Sequence, residues 1–452
     1  MMEEPSRTLR QRLLSGGFWV IAGRLVTITT TLVLNAVLAR ILTLEQYGAY
    51  VKAFSIMSVA ILIGRMGMAA AVVRVVAEAM GRGRSGQARS WVRLSLTWSL
   101  AGTILVATAI RFSVGSWLAD DVFHSVVLAS ALGALAAWIA IQNLQVVMSE
   151  VFRGFQDYRS ASVFGGSLTG ILAAASLTGI WLLGKSAELH QVLWILAGAA
   201  MISMVGGVWL LARRVSRLGP PEPVSSSHMF HLAGPLWING LLAYVLNQAD
   251  IWILGSYYPD EALAPYGAAA RIVALVAMPM ILTNMVVAPI IAELYFQDGQ
   301  KGRLERVLRT TAMVAGAPAF LILLVFVFFG SDIMVLIFTE LYRAGGPIVG
   351  ILSVGKLSQV LVGAAAMTLS MSGNQKILLR ITMVTSALTV LAAWLAVDRF
   401  GPLGVASAIS SGVVFQSVAT WLAARRQTGL WTHIRLPGRS DWSEIREIIG
   451  KR

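Results

Sequence analysis

The chain has 452 residues, of which 57% are hydrophobic and 13% charged, with a formal net charge of +14 and no cysteine. Soluble domains carry roughly 25% charged residues, so the composition excludes a soluble globule. The missing thiols exclude disulfides, haem thioethers and cysteine-ligated metals. A bilayer core about 30 Å thick takes about 20 apolar residues in helical form, and blocks of that length recur along the whole chain.

In chain order the predicted spans are Phe18–Leu42, Ala53–Val73, Leu94–Ile110, Val122–Val147, Val163–Leu183 and Val192–Ala212. A polar break follows, and then Leu232–Tyr257, Tyr266–Ala292, Val307–Phe329, Gly345–Ser370, Ile377–Val397 and Pro402–Ala424. Leu94–Ile110 is the shortest, and Ile333–Phe338 is too short to span, so it reads as a turn or half-helix at the outer face. The runs are too long and uniform for the alternating strands of a β-barrel. The first apolar block is too long for a signal-peptide core and lacks a cleavage site, so it is expected to stay as the first span.

Basic residues give the orientation. Lys and Arg concentrate in cytoplasmic loops, and 26 of the 36 here fall on one alternating set of loops and tails, against six on the other. The rich set includes Arg82, Arg84 and Arg89, then Arg213, Arg214 and Arg217, then Lys301, Arg303 and Arg306. Both termini are therefore expected in the cytoplasm. The charge follows loops rather than one face, which points to topology and anionic lipid and away from nucleic acid. The five histidines, His124, His190, His228, His231 and His433, all lie in loops or at span ends. His228 and His231 can share a helical turn but have no further ligands, so no metal site is expected.

Pro220, Pro221, Pro223 and Ser225–Ser227 mark residues 213–229 as a linker. The expected organisation is an N-terminal six-helix lobe at 1–212, the linker, a C-terminal six-helix lobe at 230–424 and a tail at 425–452. Six helices on each side put the two lobes in the same orientation, related by a pseudo-two-fold axis along the membrane normal. The pair Phe18-Trp19 echoes Leu236-Trp237, and Tyr47-Gly48-Ala49 echoes Tyr266-Gly267-Ala268, which aligns Lys52 with Arg271. The fold class is thus an all-α integral membrane protein of about twelve transmembrane helices. In the tail, Trp442, Ile445, Ile448 and Ile449 can gather on one side of a short helix on the inner leaflet, or else the tail is disordered.

Function is sought where the sequence accepts an energetic cost. A charge at the bilayer centre costs about 2.5–3.5 kcal/mol on insertion scales, yet Arg24, Arg65, Asp250, Arg271 and Lys356 fall inside or at the edges of spans. Arg65 and Arg271 can snorkel; Arg24 and Lys356 lie deeper. Polar residues recur at helical spacing beside them: Arg24, Thr27, Thr31 and Asn35; Gln142, Gln145 and Ser149; Asn239, Asn247 and Asp250; Lys356, Gln359, Gly363 and Ser370. These stripes suggest a water-filled cavity shared by two lobes, or else hydrogen bonding between helices. Four cations against Asp250 favour an anionic ligand. Asp250 either neutralises Arg271 or couples transport to protons or sodium.

The segments Ala39-Arg40-Ile41-Leu42-Thr43-Leu44-Glu45-Gln46-Tyr47-Gly48-Ala49-Tyr50, Phe152-Arg153-Gly154-Phe155-Gln156, Ala249-Asp250-Ile251-Trp252-Ile253-Leu254-Gly255 and Phe400-Gly401-Pro402-Leu403-Gly404-Val405-Ala406 resemble, in order and spacing, the bacterial Wzx-type polysaccharide flippases. These belong to the MOP superfamily, with the MATE drug exporters and the lipid II flippases. The resemblance covers nearly the whole chain. It implies a bacterial inner-membrane transporter that moves an undecaprenyl-pyrophosphate-linked oligosaccharide to the periplasmic leaflet by alternating access, for O-antigen, lipopolysaccharide or exopolysaccharide assembly. Partners implied are the lipid-linked glycan, membrane lipids and polysaccharide polymerase or export proteins. Arg24 and Lys356 are the leading diphosphate candidates, with Arg65 and Arg271 second. Asn35, Gln142, Gln145, Asn247 and Gln359 are candidates for sugar or water contact, and no cofactor or catalytic residue is expected. Lipid II flippases typically add two helices, for which there is no room. A MATE-like exporter would favour an acidic cavity, and a glycosyltransferase or polymerase would need a carboxylate constellation, which Asp120-Asp121 in a short loop supports poorly.

Overall fold

The computed structural model describes residues 9–297 and 299–434, so the expected tail helix at 442–449 lies outside the described residues. Among the described residues there are helices and turns but no strand. By packing, the chain forms two compact units, Met1–Ala264 and Pro265–Arg452. The division falls beyond the linker at 213–229 because the helices that follow the linker pack on the first unit.

The first unit contains α1 (Leu9–Ile41), α2 (Leu44–Gly64), α3 (Met68–Gly81), α4 (Ser85–Phe112), α5 (Leu132–Gly154), α6 (Leu168–Leu182) and α7 (Leu189–Ser216). After the linker come α8 (Ser226–Asn247) and α9 (Ala249–Tyr257), which pack on α2 and α3. α10 (Asp260–Leu294) begins in the first unit and continues in the second, followed by α11 (Lys301–Ile337), α12 (Gly346–Leu361), α13 (Ala365–Met371) and α14 (Gln375–Thr428).

Ten helices among the described residues are long and apolar enough to cross a bilayer. One of them, α14, has 54 residues; at 1.5 Å per residue that is about 80 Å, more than twice a bilayer core. Its backbone breaks at Gly401 (φ 58°, ψ −149°). Gln416 Nε2 donates to Thr382 Oγ1 at 3.2 Å, and a Cβ on Gly412 would strike Thr389. These pairs are placed symmetrically about residue 400, so α14 is an antiparallel hairpin of two spans, with Gly401 adopting a backbone that an L side chain resists. Counting both arms of α14, the described residues hold eleven such spans, and the interrupted pair α8–α9 occupies the place of the expected Leu232–Tyr257.

Other boundaries move for local reasons. The second span is two helices, and α2 starts at Leu44 because Thr43 and Gln46 form a capping box. The third span, short by hydropathy, is the 28-residue α4, because its basic first turns continue the helix beyond the apolar block. Ile333–Phe338 extends α11 past a kink at Phe329 as a half-helix. In the first unit Met68, Val72, Val75, Trp91, Met148 and Phe152 pack into one core. Leu105, Leu182, Phe328 and Leu336 stay exposed, the arrangement of a protein whose surface meets hydrocarbon rather than water. The protein is a multi-pass membrane protein.

Candidate functional site

Charged residues are the natural starting point, since each must be compensated in an apolar bundle. The deepest is one that hydropathy places at a span end. Lys52, on α2, is wholly buried, with Nζ 2.7 Å from Asp260 Oδ1 and donating to the Phe123 carbonyl at 3.1 Å. The Ser125 hydroxyl donates to the other Asp260 oxygen. Phe123 lies under the ammonium, 5.5 Å to its centroid, and receives Trp252 edge-on. Gly48 and Gly255 make room: a Cβ at Gly48 would sit 1.8 Å from the Asp260 carbonyl oxygen, and one at Gly255 would meet Lys52 Cε at 3.0 Å. This cluster ties α2, the 118–131 segment and the start of α10 at the end opposite the Arg-rich loops. Tyr47 and Tyr266 of the predicted repeat are both fully buried, but Arg271 is only half-buried where Lys52 is wholly buried.

The predicted cations sit at interruptions and on helix faces. Arg65 caps the C-terminus of α2, where Met66 and Gly67 turn the chain through positive φ before α3 starts. Trp237 Nε1 donates to the freed Leu62 carbonyl at 2.9 Å, and Gly67 packs on the Ala233 carbonyl. Arg65 is half-buried and lies in the field of Glu150, on α5, and Tyr244. Glu150 also pairs with Arg153 at 3.0 Å. With Glu150 counted beside Asp250, four cations within spans, Arg24, Arg65, Arg271 and Lys356, stand against two carboxylates. Arg24 is exposed on α1. Asn247 and Asp250 flank the α8–α9 interruption at Gln248, and Asp250 Oδ1 accepts from the Ile251 amide at 2.9 Å. In the second unit Arg271 on α10 and Lys356 on α12 are both half-buried.

The polar stripes divide. Thr27 and Thr31 hydroxyls donate back to Gly23 and Thr27 carbonyls of their own helix. Asn35 is buried, donates to the Thr31 carbonyl at 2.7 Å and accepts from Tyr47 at 3.2 Å. Gln145 is wholly buried and its amide reaches the Phe164 carbonyl and Thr169 at 2.6 Å and Ser203 at 3.0 Å. Both serve the alternative raised from sequence, hydrogen bonding within the bundle. Gln142 is half-buried and Asn247 is exposed, as a ligand contact requires. Gln359 lines a cavity of about 340 Å³ in the second unit with Asn284, Thr382 and Gln416.

Phe152–Gly154 end α5, and Phe155 and Gln156 turn the chain out of that helix. Asp157 accepts from the Ser160 amide and hydroxyl, and Arg214 pairs with it at 2.7 Å. Residues 429–434 form a strap at the basic end of the second unit. Ile434 N donates to the Leu361 carbonyl, Thr432 Oγ1 to the Val362 carbonyl and Trp431 N to Glu305, which satisfies carbonyls left open where α12 ends. His433 lies between Arg309 and Trp421, and partial burial and the Arg309 charge lower its pKa.

Several of these residues escape sequence reasoning. Lys52 and Asp260 lie at span edges and read as solvated; Glu150, Asn284 and Gln416 are single polar residues on apolar helices. The one available signal was the Thr43-x-x-Gln46 capping box, which places Lys52 inside a helix rather than in a loop.

The model of the family described as polysaccharide biosynthesis protein matches residues 13–295, and a second model, MatE, matches 235–395. Comparison with curated proteins found no match. Among solved structures, an inward-facing multidrug resistance MATE family transporter of the MOP superfamily is similar with a TM-score of 0.70 at 16% identity, over 89% of this chain and 94% of that one. The lipid II flippase MurJ in an inward closed conformation is similar with a TM-score of 0.69 at 13% identity, over 91% and 87%. A variant of the Vibrio cholerae MATE transporter VcmN is similar with a TM-score of 0.65 at 15% identity, over 92% and 96%. These likenesses establish that the chain has the fold of the MATE transporters and MurJ.

Proposed function

The chain belongs to the polysaccharide biosynthesis protein family, and from that premise we propose that it flips a polyprenyl-diphosphate-linked oligosaccharide across the bacterial inner membrane. Transport runs from the cytoplasmic to the periplasmic leaflet by alternating access, with both termini cytoplasmic, and supplies a cell-surface polysaccharide. The observation that carries this reading is the excess of cations placed within spans, Arg24 and Arg65 in the first unit and Arg271 and Lys356 in the second, over the carboxylates Asp250 and Glu150. Cations held in an apolar environment form strong charge-assisted hydrogen bonds with phosphate oxygens. Arg24 and Lys356 take the diphosphate first, Arg65 and Arg271 support it, and Gln142, Asn247 and Gln359 meet sugar or water. The likeness to a lipid II flippase supports a substrate with a lipid-linked glycan headgroup. Asp250, beside the α8–α9 interruption, is the candidate for coupling to a proton or sodium gradient.

The MatE match over 235–395 favours a second reading, export of small cations coupled to an ion gradient. The excess of cations within the spans opposes it, because like charge repels a cationic ligand. Deleting the gene and identifying the lipid-linked glycan that accumulates in the inner leaflet tests the first reading. Cation efflux with no change in lipid-linked glycan would instead support the second.

A further inference from the structure

The cavity in the second unit carries a chemistry that the diphosphate cations do not explain. It is formed by α10, α12, the break after α12 and both arms of α14. Its polar lining comprises Asn284, Gln359, Thr382, Gln416, Ser417 and Thr420, with Met280 and Leu378 among the apolar walls. Among the described residues the lining contains no charged side chain. Asn284 Oδ1 is buried and has no hydrogen-bond partner among the described residues, whereas most buried polar atoms are satisfied. Gln416 spends one amide hydrogen on Thr382 at 3.2 Å and keeps its carbonyl oxygen as an acceptor.

Three primary amides and three hydroxyls on one cavity offer donors and acceptors in comparable number. A vicinal diol presents the same mixture, so each amide can donate to one hydroxyl and accept from the next. A cation would use only the oxygens and leave the amide hydrogens unpaired, and the described lining offers no carboxylate to balance its charge. At about 340 Å³ the cavity is at the lower end for small-molecule sites and far larger than an ion needs. Lys356 stands on the same helix three residues before Gln359, which puts a cation one turn from the amide cluster.

We propose that the cavity lined by Asn284, Gln359, Thr382 and Gln416 binds a neutral sugar ring of the transported glycan and sets specificity for glycosylated over bare lipid. The assignment rests on the flippase reading, with Lys356 adjoining the sugar as a partner for its phosphate. Sugar hydroxyls leaving water for the membrane interior need replacement hydrogen bonds, and the amides provide them without a charge of their own. The shared apolar walls suit the C–H faces of a pyranose.

The test uses the full chain in lipid nanodiscs and two probes: a polyprenyl diphosphate carrying one N-acetylhexosamine, and the same polyprenyl diphosphate bare. The native chain is expected to prefer the glycosylated probe by about tenfold, as one or two net hydrogen bonds allow. Asn284→Leu with Gln416→Met should erase that preference while leaving affinity for the bare probe unchanged. Thr382→Val, a milder change, should reduce it severalfold and guards against a folding defect in the double variant. Equal binding of the two probes by the native chain would overturn the sugar assignment and leave the flippase reading standing. A preference that survives the double variant would do the same, and a sodium-dependent thermal shift abolished by it would reassign the cavity to a cation. Binding of neither probe would overturn the flippase reading and the sugar site together.

Discussion

Lys52 Nζ and Asp260 Oδ1 lie 2.7 Å apart with their side chains 0% and 5% exposed. An ion pair so buried gains little over an apolar pair of the same shape, yet losing one partner strands the other as an uncompensated charge. Lys52→Met is therefore expected to cost about 3–5 kcal/mol, read as a large fall in thermal stability of the detergent-solubilised protein. Lys52→Met combined with Asp260→Leu should recover most of that loss. Additive losses in the double variant would show that the pair is not coupled.

Gly48 makes the same cluster sensitive to a single methyl group. A Cβ there would stand 1.8 Å from the Asp260 carbonyl oxygen, so Gly48→Ala must push the start of α10 away from α2. The expected result is folded-protein yield well below the native level. A native melting temperature for Gly48→Ala would contradict this packing.

Asp157 does two jobs that can be separated. It accepts from the Ser160 amide at 3.1 Å and pairs with Arg214 at 2.7 Å. Asp157→Asn keeps a capping acceptor and loses the charge, while Asp157→Ala loses both. The half-exposed pair contributes at most about 1 kcal/mol and the cap about 1 kcal/mol. Melting temperatures should thus fall in the order native, Asp157→Asn, Asp157→Ala.

The strap at 429–434 should respond to acid. Burial and the facing Arg309 hold the His433 imidazole below its ordinary value of 6.5, with Glu305 opposing, while Trp421 Nε1 donates to Nδ1 at 3.3 Å. A depressed value means the folded strap prefers neutral histidine, and the unfolded chain takes the proton first as pH falls. The stabilisation is therefore present above pH 6.5 and lost as pH falls through the lower folded-state value. Proteolysis after residue 428 should accelerate below pH 6.5 in the native chain, and His433→Gln should flatten that dependence.

Much of the fold was legible because its main signals are length and period. Twelve apolar blocks are visible in sequence, and Gly401-Pro402 marks the turn between the arms of α14. The start of α2 was missed because Tyr47, Gly48 and Tyr50 interrupt the apolar run, although the capping residues Thr43 and Gln46 stand in plain view. The site was less legible. Arg24, Arg65, Arg271 and Lys356 stand out because charge is costly in hydrocarbon, but spacing along one helix cannot tell a ligand contact from a bond within the bundle. Asn35 and Gln145 shared the periodicity of a cavity face, and their partners proved to be Tyr47, Phe164, Thr169 and Ser203. Lys52 shows the converse: its partner is 208 residues away in sequence, and no local pattern announces a pairing over that separation.

The central claim is that cations placed within the spans carry a diphosphate-linked glycan through the membrane. It is tested most directly by reconstituting the purified protein into vesicles and following a polyprenyl-diphosphate glycan from one leaflet to the other. The native chain should move it, and Arg24→Ala and Lys356→Ala should each abolish movement while inserting and melting as the native chain does. Native rates in both variants would contradict the diphosphate role.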